Sequence, residues 1–564
     1  MENKEYMLID GNPVEINGEK NLLEVIRKAG IELPTFCYHS ELSVYGACRM
    51  CMVENSHGGM EAACSTVPKA GMEIYTNTER LHKHRKMILE LLLANHCRDC
   101  TTCQKNGKCR LQELASLFGL ESIRFKNLKP EPELDTSSLS IIRDAHKCIL
   151  CGDCVRMCNE IQNVGAIDFV NRGSKMVIGP AFNEPIANSP CVGCGQCAAV
   201  CPTGAIVIRK DTGRVWPELN DKNTKVVAQV APAVRVAMAK EFGLPENENS
   251  MGRITAALRR LGFDEVYDTA TGADLTVLEE SNEFLQRIEA GENLPLITSC
   301  CPAWIQYCEK NHPELMKNVS TCKSPMQMFS SVIKAKYATS SRRVVCVAVM
   351  PCTAKKFECA REEFMHDGVP ETDYVITTQE LIQMIHKAGI VFDELEPEAV
   401  DSVFSTCTGA GVIFGVTGGV TEAVLRRLST DKSNKALMSI AFNDVRGMKG
   451  VKETTIPYGD KEVRIAIVSG LKNAEKVIQA LKNGEHFDFI EVMACLGGCV
   501  AGGGQPFGTN ATKEVRGKAL YSADKMLSIK RSEENPLMLS LYDGVLKGRV
   551  HELLHVHYNH KEEE

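Results

Sequence analysis

The sequence has no apolar run of about 18 residues, so it offers no helix for crossing a bilayer. Its first residues, MENKEYMLID, lack the basic and apolar stretches of a secretory signal. There is no excess of positive charge: 65 Lys and Arg stand against 72 Asp and Glu, which argues against a general nucleic-acid binder. A phosphate-binding loop is missing as well. Gly502-Gly503-Gly504 is not followed by Lys and Ser or Thr, and is read as a close-approach or flexible loop. The run 409–415 has the spacing G-x-G-x-x-x-G without a clear strand–turn–helix setting, so tight backbone packing is expected there. With 24% charged and 44% hydrophobic residues, the chain is neither disordered nor fibrous. Its 564 residues suggest about four domains.

What the sequence does have is cysteine: 26 residues, of which 16 fall in the first 201. A long chain with no export signal that can bury its own core does not need a disulfide scaffold, so the thiols read as metal ligands. Residues 6–16 predict a hairpin around Asp10-Gly11, and 21–29 a helix closed by Gly30. Cys37, Cys48, Cys51 and Cys64 follow with the pattern C-x10-C-x2-C-x12-C. Zinc accepts four cysteines too, but the hairpin-and-helix start and the long first gap favour a [2Fe–2S] cluster. An amphipathic helix over 81–95 leads to His96, Cys100, Cys103 and Cys109, a set that suits either zinc or an iron–sulfur cluster by spacing alone.

The runs 148–158 and 191–202 are both C-x2-C-x2-C-x3-C, and the second ends in proline. This repeat is the pattern of bacterial two-[4Fe–4S] ferredoxins, in which the fourth cysteine of each run serves the other cluster. One set is therefore Cys148, Cys151, Cys154 and Cys201, and the other is Cys191, Cys194, Cys197 and Cys158. Four candidate centres and no substrate pocket make residues 1–210 an electron relay.

From about 211 the pattern becomes α/β with buried, parallel strands: 225–231, 294–298, 344–350, 463–468 and 487–493, with helices such as 251–261 and 377–388 between. Three strands run into Cys300-Cys301, Cys352, and Cys495 with Cys499. Sites in such sheets lie beyond the carboxyl ends of strands, so these cysteines can converge on one cleft. Cys308, Cys322, Cys346, Cys359 and Cys407 read as buried small hydrophobes, and Cys97 is unassigned.

Three segments of the second half resemble signatures of the [FeFe]-hydrogenases: Thr298-Ser-Cys-Cys-Pro-Ala-Trp304, Met350-Pro-Cys-Thr-Ala-Lys355 continuing to Glu358, and the run from Glu491 to Pro506. The first half resembles the long clostridial-type monomeric enzymes. The resemblance implies a β-grasp [2Fe–2S] ferredoxin domain over 1–80, a [4Fe–4S] segment with one histidine and three cysteine ligands over 81–126, and a two-[4Fe–4S] ferredoxin-like domain over 127–210. An α/β catalytic domain with parallel sheets over 211–530 and a small-subunit-like segment over 531–564 would follow. The catalytic domain would hold an H-cluster, a cubane joined to a two-iron unit with CO, cyanide and azadithiolate. The implied cubane ligands are Cys301, Cys352, Cys495 and Cys499.

By the same resemblance, Cys300 relays protons to the azadithiolate, supplied through Glu280, Ser320, Glu283 and Arg287. Lys355 pairs with a cyanide, and Ala231, Pro232, Pro325, Met350 and Met493 wall the two-iron unit. Glu280, Glu283 and Arg287 would share one helical stripe, whose bland alternative is a solvated face with a Glu283–Arg287 pair. Where relatives can carry Gln after Ser-Pro, this chain has Met326, with Gln327 one place later. The implied activity is reversible H2 oxidation in the cytoplasm, with soluble ferredoxin as electron partner and maturation proteins supplying the two-iron unit. Three rivals are weaker: a large iron–sulfur subunit of an NADH or formate dehydrogenase would lack the three segments, an assembly factor or sensor would not need Cys300 and Lys355, and an electron-bifurcating subunit would need flavin and nicotinamide sites on other chains.

Overall fold

The computed structural model describes residues 5–127, 133–429, 445–458 and 461–558. The hairpin Glu5–Ile9 and Asn12–Ile16 turns at Asp10 and Gly11, both at positive φ, as a two-residue loop between twisted strands requires. It belongs to a five-stranded sheet. Helix Leu22–Lys28 crosses that sheet, its N-terminus capped by the Asn21 side chain accepting from the Glu24 amide, and buries Leu22, Leu23, Val25 and Ile26 against Met7, Ile9, Val53 and Ile74.

Helix Glu79–Ala94 occupies the stretch read as 81–95. Its Arg85 is buried and donates to the carbonyls of Met50, Met52 and Thr76, which fastens the helix to the first sheet. Farther on, Ile141–Arg143 pairs antiparallel with Ile206–Ile208, which ties the two ends of the cysteine repeat together.

The second half holds two four-stranded sheets. In the first, Glu265–Asp268, Thr224–Val230, Arg343–Met350 and Tyr374–Thr377 lie in that order and are all parallel. In the second, Leu296–Ile297, Phe489–Met493 and Lys461–Ser469 are parallel, and Val451–Tyr458 closes the edge antiparallel. All five strands read from the sequence are present. Glu265–Asp268, Tyr374–Thr377 and Val451–Tyr458 are additional: two are only four residues long, and the third, VKETTIPY, is an edge strand with half its side chains polar.

The long helix Ala270–Ala290 packs against Pro325–Lys336 and Gly409–Val412. The glycine run at 409–415 serves this packing: a Cβ on Gly411 would stand 2.4 Å from the Ala270 carbonyl oxygen. Near the end of the chain, Pro536–Asp543 and Val550–Leu554 cover the outer side of Pro325–Lys336, with Lys323 N bonded to the Leu554 carbonyl (2.8 Å) and Val556 N to that of Thr321 (2.7 Å). Among the described residues, no helix is long and apolar enough to cross a membrane.

Candidate active site and electron path

Strand Leu296–Ile297 leads to Cys300 and Cys301, Arg343–Met350 to Cys352, and Phe489–Met493 to Cys495 and Cys499. These strands belong to both sheets, and their carboxyl ends bring all five cysteines to one cavity. Ala231, Pro232, Pro325, Met350, Lys355 and Met493 line it too. The sequence reading missed Thr269, Ala273, Phe414 and Gly415 in this wall, because they come from helices that carry no cysteine signal.

The residues fit the implied cluster. Burial first, and neighbouring cysteines next, push the Cys352, Cys495 and Cys499 thiols above their ordinary range. Such a group ionises readily only around a cation, and four sulfurs suit an iron–sulfur cubane. The rest of the cavity offers methionine, alanine and proline surfaces with one ammonium, a setting for a group held by contacts. Lys355 donates to Glu358 (2.8 Å) and to the Cys300 carbonyl (3.2 Å). Burial opposes its charge, but Glu358 outweighs burial and the net direction is upward. Met326 faces the cavity, whereas Gln327 accepts from the Thr372 hydroxyl at 2.9 Å, so the departure at 326 makes this wall less polar.

Cys300 opens onto the same cavity. Burial and, next, the charge of Glu280 push its thiol well above the ordinary value, so it is a neutral donor. Glu280 is fully buried. Neither carboxylate oxygen makes a hydrogen bond of ordinary geometry, although the Ser320 hydroxyl lies close enough to pull its pKa back somewhat. Burial, then the Glu283 charge, still raises that pKa to about 8. Glu283, one turn along the helix, accepts from the Ser320 hydroxyl (2.8 Å) and from Arg287 (2.5 Å). Arg287 also holds the carbonyls of Asn318 and Val319 at 2.9 Å. The Glu283–Arg287 pair weighed as a solvated face thus exists, but both side chains are only 12% exposed.

The other cysteines group as follows. Cys148, Cys151, Cys154 and Cys201 line one cavity, and Cys158, Cys191, Cys194 and Cys197 line another. Cys37, Cys48, Cys51 and Cys64 are mutual neighbours, with the Cys48 amide 3.4 Å from the Cys37 sulfur. Cys100 and Cys103 lie near Cys109, and His96 is buried at the end of helix Glu79–Ala94, its Nδ1 accepting from the Arg98 amide at 3.0 Å. Cys308, Cys322 and Cys346 sit in apolar cores.

The repeat and the walls of the cysteine cavity are in direct contact. Gln196 donates to the Cys495 sulfur (3.1 Å) and the Ala501 carbonyl (2.9 Å), and the Thr353 hydroxyl donates to the Gly193 carbonyl (2.7 Å). A Cβ on Gly503 would stand 2.4 Å from the Cys194 carbonyl oxygen, so the 502–504 glycines are a close approach. Gln196 could not be found from spacing, since its partner is 299 residues away.

The family described as iron only hydrogenase large subunit, C-terminal domain, matches residues 224–503, and the iron hydrogenase small subunit matches 510–561. A 2Fe-2S iron–sulfur cluster binding domain matches 6–79, an NADH-ubiquinone oxidoreductase-G iron–sulfur binding region matches 85–124, and a 4Fe-4S dicluster domain matches 147–209. An NADP-reducing hydrogenase subunit of Solidesulfovibrio fructosivorans is 41% identical, covering 98% of both chains. Iron hydrogenase 1 of Clostridium pasteurianum is 35% identical over 98% of this chain and 99% of its own. A solved [FeFe]-hydrogenase of Chlamydomonas reinhardtii superposes with a TM-score of 0.53 at 37% identity, covering 62% of this chain and 98% of its own. The chain belongs to the [FeFe]-hydrogenases, as a long member carrying several iron–sulfur domains ahead of the H-cluster domain.

Proposed function

We propose that this hydrogenase interconverts H2 with protons and electrons in the cytoplasm and exchanges the electrons with a soluble ferredoxin. The observation that carries this reading is the convergence of five cysteines, from strands of two sheets, on one apolar cavity. When bound, the H-cluster supplies heterolytic H2 chemistry and a place for electrons. Cys301, Cys352, Cys495 and Cys499 hold its cubane, Lys355 offers an ammonium to an anionic ligand, and the methionines and prolines exclude water. Maturation proteins insert the two-iron unit.

Cys300 holds a proton at its sulfur next to the cavity. Glu280, neutral below about pH 8, passes it outward. Ser320 and Glu283 continue the line, and Arg287 marks its outer end.

The domains divide at 1–80, 81–126, 127–210, 211–530 and 531–564. Cys37, Cys48, Cys51 and Cys64 would hold one [2Fe–2S] cluster, and His96, Cys100, Cys103 and Cys109 a [4Fe–4S] cluster, which would supply one-electron relay sites. The crossed sets of the repeat would hold two further [4Fe–4S] clusters. The contact of the Cys191–Cys197 run with Cys495 supports that cluster as the last stop. A second reading draws on the NADP-reducing relative: electrons go to a nicotinamide-binding partner chain instead.

An infrared spectrum of matured protein in the CO and cyanide stretching region tests the assignment. Bands of both ligands are expected; a matured sample without them overturns it. For the relay, His96→Ala should slow electron exchange with ferredoxin more than hydrogen/deuterium exchange at the active site, measured on one preparation. Equal losses in both would count against a relay role.

A further inference from the structure

Glu283 is met by two groups that the proton line does not use. One ligating atom each of Glu283, Cys322 and His555 lies within 4.8 Å of the other two. The three come from helix Ala270–Ala290, the segment before helix Pro325–Lys336, and the residue after helix Val550–Leu554. Cys322 is fully buried, with its sulfur 3.8 Å from Glu283 Oε2. His555 is held on both sides: Nε2 is 3.1 Å from Glu279 Oε2 and Nδ1 is 2.8 Å from the Thr321 hydroxyl. Cys322 and His555 also form a backbone bridge, and Val556 N donates to the Thr321 carbonyl at 2.7 Å, so these two donors are fixed relative to each other.

This is the arrangement of a metal-binding histidine. A carboxylate that accepts from Nε2–H directs the lone pair of Nδ1 toward the other donors and raises its basicity. The Thr321 hydroxyl that now faces Nδ1 is a side chain that can rotate away when the nitrogen takes a metal. A thiolate, an imidazole and a carboxylate form a donor set for Zn²⁺, with the fourth position left to water. Hard cations such as Mg²⁺ and Ca²⁺ prefer oxygen ligands alone.

We propose that Glu283, Cys322 and His555 bind Zn²⁺ and that its binding closes the proton route at Glu283. Coordination through Oε2 takes the oxygen that accepts the Ser320 hydroxyl, while Arg287 keeps its bond to Oε1. The Cys322 S–H bond breaks as the Zn–S bond forms, and its proton goes to solvent; no electron moves. The binding site stands apart from the proton-route reading, whereas the closing of the route rests on it.

The test uses matured holoenzyme stripped of loose metal by a chelator and given one equivalent of Zn²⁺. Zinc K-edge X-ray absorption sees zinc without interference from iron. A shell with one sulfur at ~2.3 Å and lighter ligands at ~2.0–2.2 Å is expected. Cys322→Ser should lose the sulfur, and His555→Gln should weaken zinc binding at least tenfold, with unchanged CO and cyanide bands showing that each variant is folded and loaded. Zinc should slow wild-type turnover at least tenfold more than that of Cys322→Ser. A shell of nitrogen and oxygen alone, or one that Cys322→Ser leaves unchanged, overturns the site. The sulfur shell with undiminished turnover overturns the closing of the route and, with it, the role of Glu283.

Discussion

Replacing Cys300 with Ala is expected to lower H2 production by ~10²–10⁴-fold, the range for losing a positioned proton donor. The iron content and the CO and cyanide bands should stay as in the parent, because Cys300 stands beside the four proposed ligands and is not one of them. The structure supplies the reason for so large an effect. Cys300 opens onto the cavity and its thiol lies close enough to feel the charge of Glu280, so alanine removes the one thiol that stands at the cavity beside that carboxyl. Steady-state rates and infrared spectra on the same sample make the check. Parental rates would remove the relay assignment, and lost bands would turn Cys300 into a structural residue.

The second large effect is expected at Glu280. Glu280→Gln keeps size and polarity but cannot take up or release a proton, so turnover should again fall by ~10²–10⁴-fold. The pH behaviour separates this role from simple packing. Burial raises the folded pKa to about 8, well above the ordinary carboxyl value of 4.5. The folded protein therefore holds a proton that the unfolded chain gives up, and stability drains away as pH rises from about 4.5 to about 8. Glu280→Gln should flatten this part of the stability curve. Infrared difference spectra should show a protonated carboxyl at pH 7 that disappears with a midpoint near 8 in the parent and is absent from the variant. A carboxyl already ionised at pH 6 would sink the assignment.

The sites differ in how far they could be read without coordinates. The four-cysteine repeat is legible because a cluster is gripped by a short run of chain, so ligand spacing is local. The crossed partners Cys201 and Cys158 follow from the same pattern, and the structure places them in the expected cavities. The stripe Glu280, Glu283 and Arg287 is legible in part: helical periodicity puts the three side chains on one face, but not that face toward Ser320. Burial of that face comes from the docking of Pro325–Lys336 and the C-terminal segment. Short strands such as Glu265–Asp268 escape notice because four residues carry too little pattern.

Gln196, Thr321 and His555 had no signal at all. Each acts on a partner more than 230 residues away or on a group met only after the domains dock. Residue types and their local spacing were enough to point to iron–sulfur domains, to group most of the thiols into sets, and to show that an α/β half presents cysteine at its strand ends. They suffice because thiolate chemistry and strand periodicity act over a few residues. Which face of each helix is dry, how the ferredoxin-like repeat meets Cys495, and what raises the pKa of Glu280 were settled by packing. Desolvation and through-space contact depend on distances between residues that the order of the chain does not encode.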